Sequence, residues 1–278
     1  MAGGRFVGVS TDVVFDGRGG APYAEADPVH PLGAYGACKA EMEGRLTAMG
    51  DNVLVCRTSL ILSMAGAGGG GLPRSASSNG SDGGTGGGTG GGGGAVGGAA
   101  AAPAAAPAAA EAAEGATMAT ATPTTAAAAD AATPAAATAA DDVPPAALAS
   151  LDVPMGKGLR FVADCVAGRK GAIALFTDEL RQMSWADDLG AALVELAARR
   201  GVGGVLHLVA DAPTTRWEVA CVLARRAGLP AAGAALSGLS TESGLGRPVD
   251  LRLSTERLAS LGLRTRLRGA IERLEALP

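Results

Sequence analysis

Residues 9–44 read VSTDVVFDGRGGAPYAEADPVHPLGAYGACKAEMEG, and this stretch decides the fold class. The apolar run at 5–10 ends in polar residues, which predicts a buried parallel strand with functional groups at its carboxyl end. A loop rich in glycine and proline over 16–33 then leads to a predicted helix over 34–49. On that helix Tyr35 and Lys39 are four residues apart, so their side chains share one face. The pattern predicts an α/β fold.

Thr11, Tyr35 and Lys39 are the side chains that carbonyl reduction with a bound nicotinamide needs. An isolated phenol has a pKa near ~10 and is too weak an acid to protonate a substrate oxygen efficiently at neutral pH. A lysine ammonium beside the phenol favours the phenolate and moves its pKa toward the working range. The Thr11 hydroxyl can then hydrogen-bond the same substrate oxygen. Because Tyr-x-x-x-Lys is common on surface helices, the assignment depends on the residues around it.

The surrounding residues resemble the extended short-chain dehydrogenase/reductase superfamily, and within it the dTDP-4-dehydrorhamnose reductase-like branch. That branch carries an STDxVFDG strand end, a Pro-Tyr-x-Glu-x-Asp loop and a Pro-x-x-x-Tyr-Gly-x-x-Lys helix, all present here in the same order. Segments similar to later parts of the branch occur at 175–181, 185–189, 204–208, 215–220 and 247–254. The resemblance covers residues 5–63 and the chain from 156 to 278.

The resemblance implies a partial Rossmann-like parallel sheet with a small C-terminal substrate-binding domain. It also implies that NADPH or NADH reduces a keto group of a nucleotide sugar. In this role Thr11 orients the carbonyl oxygen, Tyr35 donates the proton, and Lys39 tunes Tyr35 and holds the nicotinamide ribose.

Further site residues follow from the same resemblance. The residues expected at the cofactor, besides Tyr35 and Lys39, are Ser10, Arg57, Thr58 and Ser59. Those expected at the substrate are Asp12, Val13, Leu60 and Arg247. Val13 and Leu60 stand where the branch often has aromatic residues, which removes ring surface that could stack on a sugar or base. Reduction of a nucleotide sugar is therefore no more than the nearest named activity.

Composition divides the chain into three parts. Residues 64–150 are glycine, alanine, threonine, serine and proline with almost no large apolar side chain. Such a segment cannot bury enough surface to offset its ordering entropy, so we expect a disordered insertion. Residues 1–63 would form the C-terminal part of the NAD(P)-binding domain, and residues 151–278 the remaining core and the substrate-binding region.

The glycine turn that holds a dinucleotide pyrophosphate is not found before the first strand. Gly3 and Gly4 precede that strand, and the glycines at 66–98 follow no strand and open no amphipathic helix. We therefore expect the N-terminal βαβ units to be absent and NADPH binding to be impaired. Two alternatives stay open. Besides a reductase, the chain could be a non-catalytic subunit resembling the methionine adenosyltransferase regulatory beta subunit, or an incomplete gene product.

The net charge, the apolar runs and the cysteine and histidine residues limit which kinds of ligand and partner are expected. A net charge of −4 and a pI near 5.3 argue against nucleic acid or an anionic membrane. We expect a small-molecule partner, and leave a homo-oligomer or a partner enzyme open. No run reaches the ~20 apolar residues of a membrane span, so a cytoplasmic location is expected, with an upstream targeting segment left open. Four cysteines without metal-ligand spacing predict reduced thiols and no metal, and His207 is expected to be a buried, hydrogen-bonded strand residue.

Overall fold

The structure is a computed structural model that describes residues 4–64, 143–171, 173–230, 232–233 and 235–277. Most of the segment 64–150, for which disorder is expected, lies outside these residues. The described strands, in chain order, are β1 (Phe6–Thr11), β2 (Val53–Thr58), β3 (Ile61–Leu62), β4 (Ala174–Phe176), β5 (Ser184–Trp185), β6 (Gly204–His207) and β7 (Leu236–Gly238). The α-helices are α1 (Ala34–Thr47), α2 (Pro145–Leu151), α3 (Lys157–Val166), α4 (Ala186–Ala198), α5 (Arg216–Arg226), α6 (Glu256–Ser260) and α7 (Ala270–Glu275).

A parallel three-stranded sheet in the order β1-β2-β6 holds the site. Thr11 pairs with Thr58, and Arg57 pairs with His207, so the carboxyl ends of the strands meet at one edge. All six residues of β2 are buried, as expected for a central parallel strand covered on both faces. Leu54 and Cys56 pack in a cluster with α4, whereas Arg57 contacts α1. The predicted α/β class with parallel strands is confirmed.

A second apolar cluster lies among α3, α5 and α7 and the short parallel pairs β3-β5 and β4-β7. Its largest fully buried side chains include Trp185, Leu62, Leu159 and Leu175. Helix α2 adds Ala147 and Leu151 to this cluster. This helix lies mostly before residue 151, where the sequence placed the start of the C-terminal part. Its alanine-rich composition concealed a short helix that buries two side chains.

The strand predicted at 5–10 and the helix predicted over 34–49 correspond to β1 and α1. The apolar residues 53–62 are divided between β2 and β3. The chain leaves the first sheet after Thr58, and β3 pairs with β5 instead. A capping box begins α5, since Thr215 and Glu218 hydrogen-bond each other's backbone. Within the described ranges, no helix is long and apolar enough to cross a membrane.

Candidate active site

Helix α1 approaches the end of β1 through Gly36. A Cβ at this position would lie 2.3 Å from the carbonyl oxygen of Val13 and 2.9 Å from the Cβ of Pro31. Real Cβ atoms do not come that close, so the glycine in Tyr-Gly-x-x-Lys is what lets the helix backbone contact the turn after Thr11. This contact fixes the first turn of α1, and with it Tyr35, beside the strand end.

Tyr35 and Lys39 lie on one face of α1, as predicted. The Lys39 Nζ is 5.9 Å from the centre of the Tyr35 ring and donates a hydrogen bond to the carbonyl oxygen of Val9 at 3.0 Å. An ammonium has three donors, so two remain for a ligand. Tyr35 is 41% exposed. The pair is therefore held by β1 on one side and open to solvent on the other.

Thr11 is the last residue of β1, where the sequence predicted it. Its hydroxyl donates to Oδ1 of Asp12 at 3.1 Å and accepts from the backbone N–H of Val13 at 3.4 Å. The residue is only partly buried. The orientation of the Thr11 hydroxyl is thus set by its chain neighbours Asp12 and Val13.

Asp12 is buried, and its predicted contact with the substrate stays a prediction. The residue is 3% exposed, and its Oδ2 accepts from the Ser59 hydroxyl at 2.5 Å. Burial raises the pKa of Asp12, while the nearby Arg181 and the hydroxyls of Ser59 and Thr11 act in the opposite direction. The carboxyl group is an internal partner of the two hydroxyls.

Arg57 is also internal, and its predicted contact with the cofactor stays a prediction. It is 3% exposed and binds Glu43 of α1, with Nη2 2.7 Å from Oε2. Its Nη1 lies 3.3 Å from Nε2 of His207, and the guanidinium stacks 5.0 Å from the Phe15 ring centre. Glu43 was missed by the sequence reasoning. The available signal was its position seven residues after Gly36, which places Glu43 and Gly36 on the same buried face of α1.

His207 is buried and hydrogen-bonded, as predicted. It has no exposed surface, and its Nδ1 is 3.2 Å from the carbonyl oxygen of Ser254. Burial lowers the pKa of His207 to about 4, the neighbouring Arg57 adding to this effect and Glu25 opposing it. The imidazole is therefore neutral at pH 7 and forms part of the Arg57–Glu43 cluster.

The other predicted cofactor residues are closed off. Thr58 is 4% exposed, and its hydroxyl donates to the carbonyl oxygen of Ser10 at 3.1 Å. Ser59 is held by Asp12. The Ser10 hydroxyl is buried and has no hydrogen-bond partner among the described residues. Of the predicted cofactor residues, Tyr35 and Lys39 reach the surface, and the cofactor role of all of these residues stays a prediction.

Arg247 lies on a loop that contacts the segment after β1. The backbone N–H of Asp250 donates to the carbonyl oxygen of Gly17, and Pro248 packs against Gly17, whose φ is +67°. The Arg247 Nε lies 2.5 Å from Oε1 of the buried Glu179, and about a third of its side chain is exposed. Glu179, which sequence reasoning missed, thus fixes the direction of Arg247, whose predicted contact with the substrate stays a prediction.

Val13 and Leu60 contribute apolar packing. Val13 is partly buried against the cluster of Phe15 and Tyr23, and Leu60 against the second apolar cluster. All four cysteines are free thiols, and no group of acidic, histidine and cysteine side chains among the described residues could hold a metal ion.

Comparisons with known proteins agree with this description. Residues 1–71 match the family model described as the RmlD substrate binding domain. The dTDP-4-dehydrorhamnose reductase of Burkholderia thailandensis is 44% identical over 64 residues, 23% of this chain and 22% of that protein. That of Aggregatibacter actinomycetemcomitans is 47% identical over 51 residues, 18% of this chain and 17% of its own. These matches span about a fifth of the length of the relatives.

The fold resembles that of a solved structure. The dTDP-4-dehydrorhamnose reductase of Bacillus anthracis, solved in complex with NADP, gives a TM-score of 0.57 at 14% identity. The match covers 98% of this chain and 64% of that one. A Tyr-x-x-x-Lys helix packed at the end of a parallel strand is typical of the extended short-chain dehydrogenases/reductases. Within that class, residues 1–71 are similar to the dTDP-4-dehydrorhamnose reductase-like branch.

Proposed function

We propose that this chain carries the proton-donating and substrate-facing part of a nicotinamide-dependent reductase that acts on a keto group of a nucleotide sugar. The observation that carries the proposal is the contact of Gly36 with the Val13 carbonyl. That contact sets Tyr35 and Lys39 beside the carboxyl end of β1 while leaving the phenol partly exposed. The named relatives of residues 1–71 support the substrate class.

In this proposal Tyr35 is the general acid. NADPH or NADH, when bound, supplies the hydride for the carbonyl carbon. The Tyr35 phenol gives its proton to the carbonyl oxygen, which becomes a hydroxyl. The Lys39 ammonium stabilises the negative charge left on the phenol oxygen and offers its remaining donors to a ribose hydroxyl. Its bond to the Val9 carbonyl holds it in position for both roles.

Arg247 is proposed to bind the substrate's phosphate oxygens. Its guanidinium is planar and charged, and part of it reaches solvent while Glu179 anchors the inner side. A ligand anion would meet the exposed side. Leu60 and Val13 would add only aliphatic contact, so stacking on a base is not expected from them.

We further propose that the chain binds its cofactor weakly. The described residues supply groups for the ribose end but contain no Gly-x-x-Gly-x-x-Gly turn between a strand and a helix, the usual pyrophosphate cradle. Each tenfold loss of affinity corresponds to about 1.4 kcal/mol, and loss of a whole cradle amounts to several such steps. Calorimetric titration with NADPH should show at most millimolar binding. Micromolar binding would contradict this part of the proposal.

Reduction itself is tested with a dTDP-4-keto-6-deoxy sugar and saturating NADPH, followed by the fall in NADPH absorbance. Turnover should be slow but measurable, and Tyr35→Phe should abolish it because the only proton donor is lost. Tyr23→Phe is the matched control, since the Tyr23 hydroxyl bonds Asp16 and the Gly19 carbonyl away from the pair. Equal rates for wild type and Tyr35→Phe would refute the proposal.

A further inference from the structure

The outer edge of β6 is bound by side chains from two other segments. The backbone N–H of Leu208 donates to β2, so the preceding N–H, that of His207, points to the outer side of the strand. It donates to Oε1 of Glu25 at 3.1 Å. Farther back along this edge, the Arg257 guanidinium donates to two carbonyl oxygens of the same strand and of the turn before it. Glu25 comes from the loop that leads into α1.

Arg57 holds the same loop from the inside of the sheet. Its Nη1 donates to the backbone carbonyl oxygen of Glu25 at 3.4 Å and lies 3.3 Å from Nε2 of His207. Its Nε and Nη2 donate to Glu43 of α1. One guanidinium therefore joins the loop, the end of β6 and the helix. Glu25 is bound through its carboxylate by β6 and through its backbone carbonyl by β2.

The hydrogen bonds around His207 determine which ring nitrogen carries the proton. A guanidinium has donors only, so Nε2, which faces Nη1 of Arg57, is the accepting nitrogen of the neutral ring. The proton then lies on Nδ1, which is 3.2 Å from the carbonyl oxygen of Ser254. The backbone N–H of Ser254 in turn donates to the carbonyl oxygen of Tyr23, two residues before Glu25. The neutral ring thus belongs to the same clamp on the loop.

The other end of this loop rests on α1. A Cβ on Gly36 would lie 2.9 Å from the Cβ of Pro31, so Pro31 touches the first turn of the helix. Val29, between the two contacts, packs against the buried apolar cluster next to the end of β1. The segment 25–31 is therefore fixed at β6 by Glu25 and contacts α1 directly after Tyr35.

We propose that Glu25 is a positioning residue for Tyr35. Its carboxylate, bound by the His207 N–H, fixes the segment 25–31, and this segment holds the first turn of α1 at the end of β1. The catalytic meaning of this role rests on the proposed reductase function, whereas the position of the helix rests on the contacts alone. The carboxylate acts here as a hydrogen-bond acceptor. An amide oxygen can accept the same bond, so Glu25→Gln should keep Tyr35 in place and Glu25→Ala should not.

The first test needs no ligand. The chain has two tyrosines, so isotope labels in the tyrosine rings give two sets of NMR resonances, which Tyr23→Phe assigns. Glu25→Ala should shift the Tyr35 resonances, and Glu25→Gln should leave them at the wild-type position. Asp27→Ala is the matched control, because the Asp27 carboxylate accepts from the Ala24 N–H within the loop. It should move the Tyr35 resonances less than Glu25→Ala does.

Three outcomes of this NMR comparison would overturn the proposal. The first is a set of Tyr35 resonances that does not change in Glu25→Ala. The second is an equal shift in Glu25→Gln and Glu25→Ala, which would show that the hydrogen bond is not what matters. The third is an equal shift in Asp27→Ala, which would mean that any change in the loop displaces the ring.

The contacts of His207 are measured on the same proteins. After His30→Asn has removed the signals of the other histidine, nitrogen NMR at neutral pH should show His207 protonated on Nδ1 and not on Nε2. The backbone N–H of His207 should exchange with solvent at least about tenfold faster in Glu25→Ala than in the wild type, because its acceptor is lost. A ring protonated on Nε2, or an exchange rate that Glu25→Ala leaves unchanged, would contradict the clamp on which the proposal depends.

The catalytic consequence is tested with a dTDP-4-keto-6-deoxy sugar and saturating NADPH. Glu25→Ala should lower kcat by at least about tenfold with little change in KM, because a displaced proton donor slows the chemical step while the substrate contacts remain. Glu25→Gln and Asp27→Ala should keep the wild-type kcat. An unchanged kcat in Glu25→Ala would overturn the positioning role. Absence of turnover in the wild type would refute the reductase proposal, while the Tyr35 resonances would still decide whether Glu25 positions the helix.

Discussion

Two charged groups of helix α1, Glu43 and Lys39, have opposite surroundings. Glu43 points inward and is 5% exposed, with Arg57 and His207 around it. Lys39 lies toward the surface, beside a phenol that is 41% exposed, and its Nζ donates to the Val9 carbonyl. The inner group is saturated by protein partners and serves stability. The outer group keeps donors for a ligand, which is what chemistry requires. A charged residue in a motif thus reveals its role by whether its hydrogen bonds are already used.

The inner cluster should show the largest effect on stability. Glu43→Ala leaves the buried Arg57 guanidinium without its carboxylate, so the free energy of unfolding should fall by about 3–5 kcal/mol. Urea unfolding followed by circular dichroism measures the loss. On the same helix, Glu41→Ala breaks only the exposed pair with Arg45 and should change stability by less than about 1 kcal/mol. Similar losses in the two variants would show that the inner cluster is not special.

The same cluster should make the fold sensitive to acid. Because burial lowers the pKa of His207 from 6.5 to about 4, the folded state favours the neutral ring. This stability is fully present above pH 6.5 and is lost as the pH falls from there to about 4, by up to about 3 kcal/mol. The loss of unfolding free energy between pH 7 and 4 should be smaller in His207→Asn. The exposed His30 provides the control, and His30→Asn should keep the wild-type slope.

Alanine substitutions at two glycines of α1 should change the free energy of unfolding in opposite directions. Gly36→Ala places a Cβ against the Val13 carbonyl, so it should cost about 1–3 kcal/mol and reduce any reductase turnover by displacing Tyr35. Gly44→Ala meets open space and should stabilise the helix by about 0.5–1 kcal/mol. Thermal unfolding of both variants gives the comparison. A tolerated Gly36→Ala would mean that α1 does not rest on the turn after β1.

The outer group should have the smallest effect on stability. Lys39→Met removes a half-exposed bond to the Val9 carbonyl, which solvent can replace, so unfolding free energy should change by less than about 1 kcal/mol. Turnover, in contrast, should fall by at least about tenfold because the phenolate loses its cation. A large loss of stability with unchanged turnover would reverse the comparison of the two faces.

The sequence revealed the fold class and the outer face of α1 because both depend on local spacing. The period of the helix places Tyr35 and Lys39 together whatever surrounds them. The inner face could not be read in this way. Arg57 was assigned to the cofactor by the motif in which it stands, but its partners Glu43 and His207 come from distant parts of the chain. The surroundings of Asp12 were hidden for the same reason, since Ser59 and Arg181 reach it only after the strands pair.

Helix α2 illustrates a second limit. Its sequence lacks the large apolar side chains that mark a core element, and only its packing against the second cluster defines it. Composition predicts where a core cannot form on its own. It does not predict where a short segment is added to a core made by other residues.

The contact between Gly36 and Val13 has a consequence for how this site can vary in evolution. The helix rests on the backbone carbonyl of residue 13 and not on its side chain. The side chain at that position can therefore change, from an aromatic ring to valine for instance, without moving the phenol of Tyr35. Under the proposed function, substrate preference depends on the side chain at position 13, whereas proton donation depends on the position of Tyr35. The side chain at position 13 can change in evolution while Tyr35 stays in place, as long as residue 36 remains glycine.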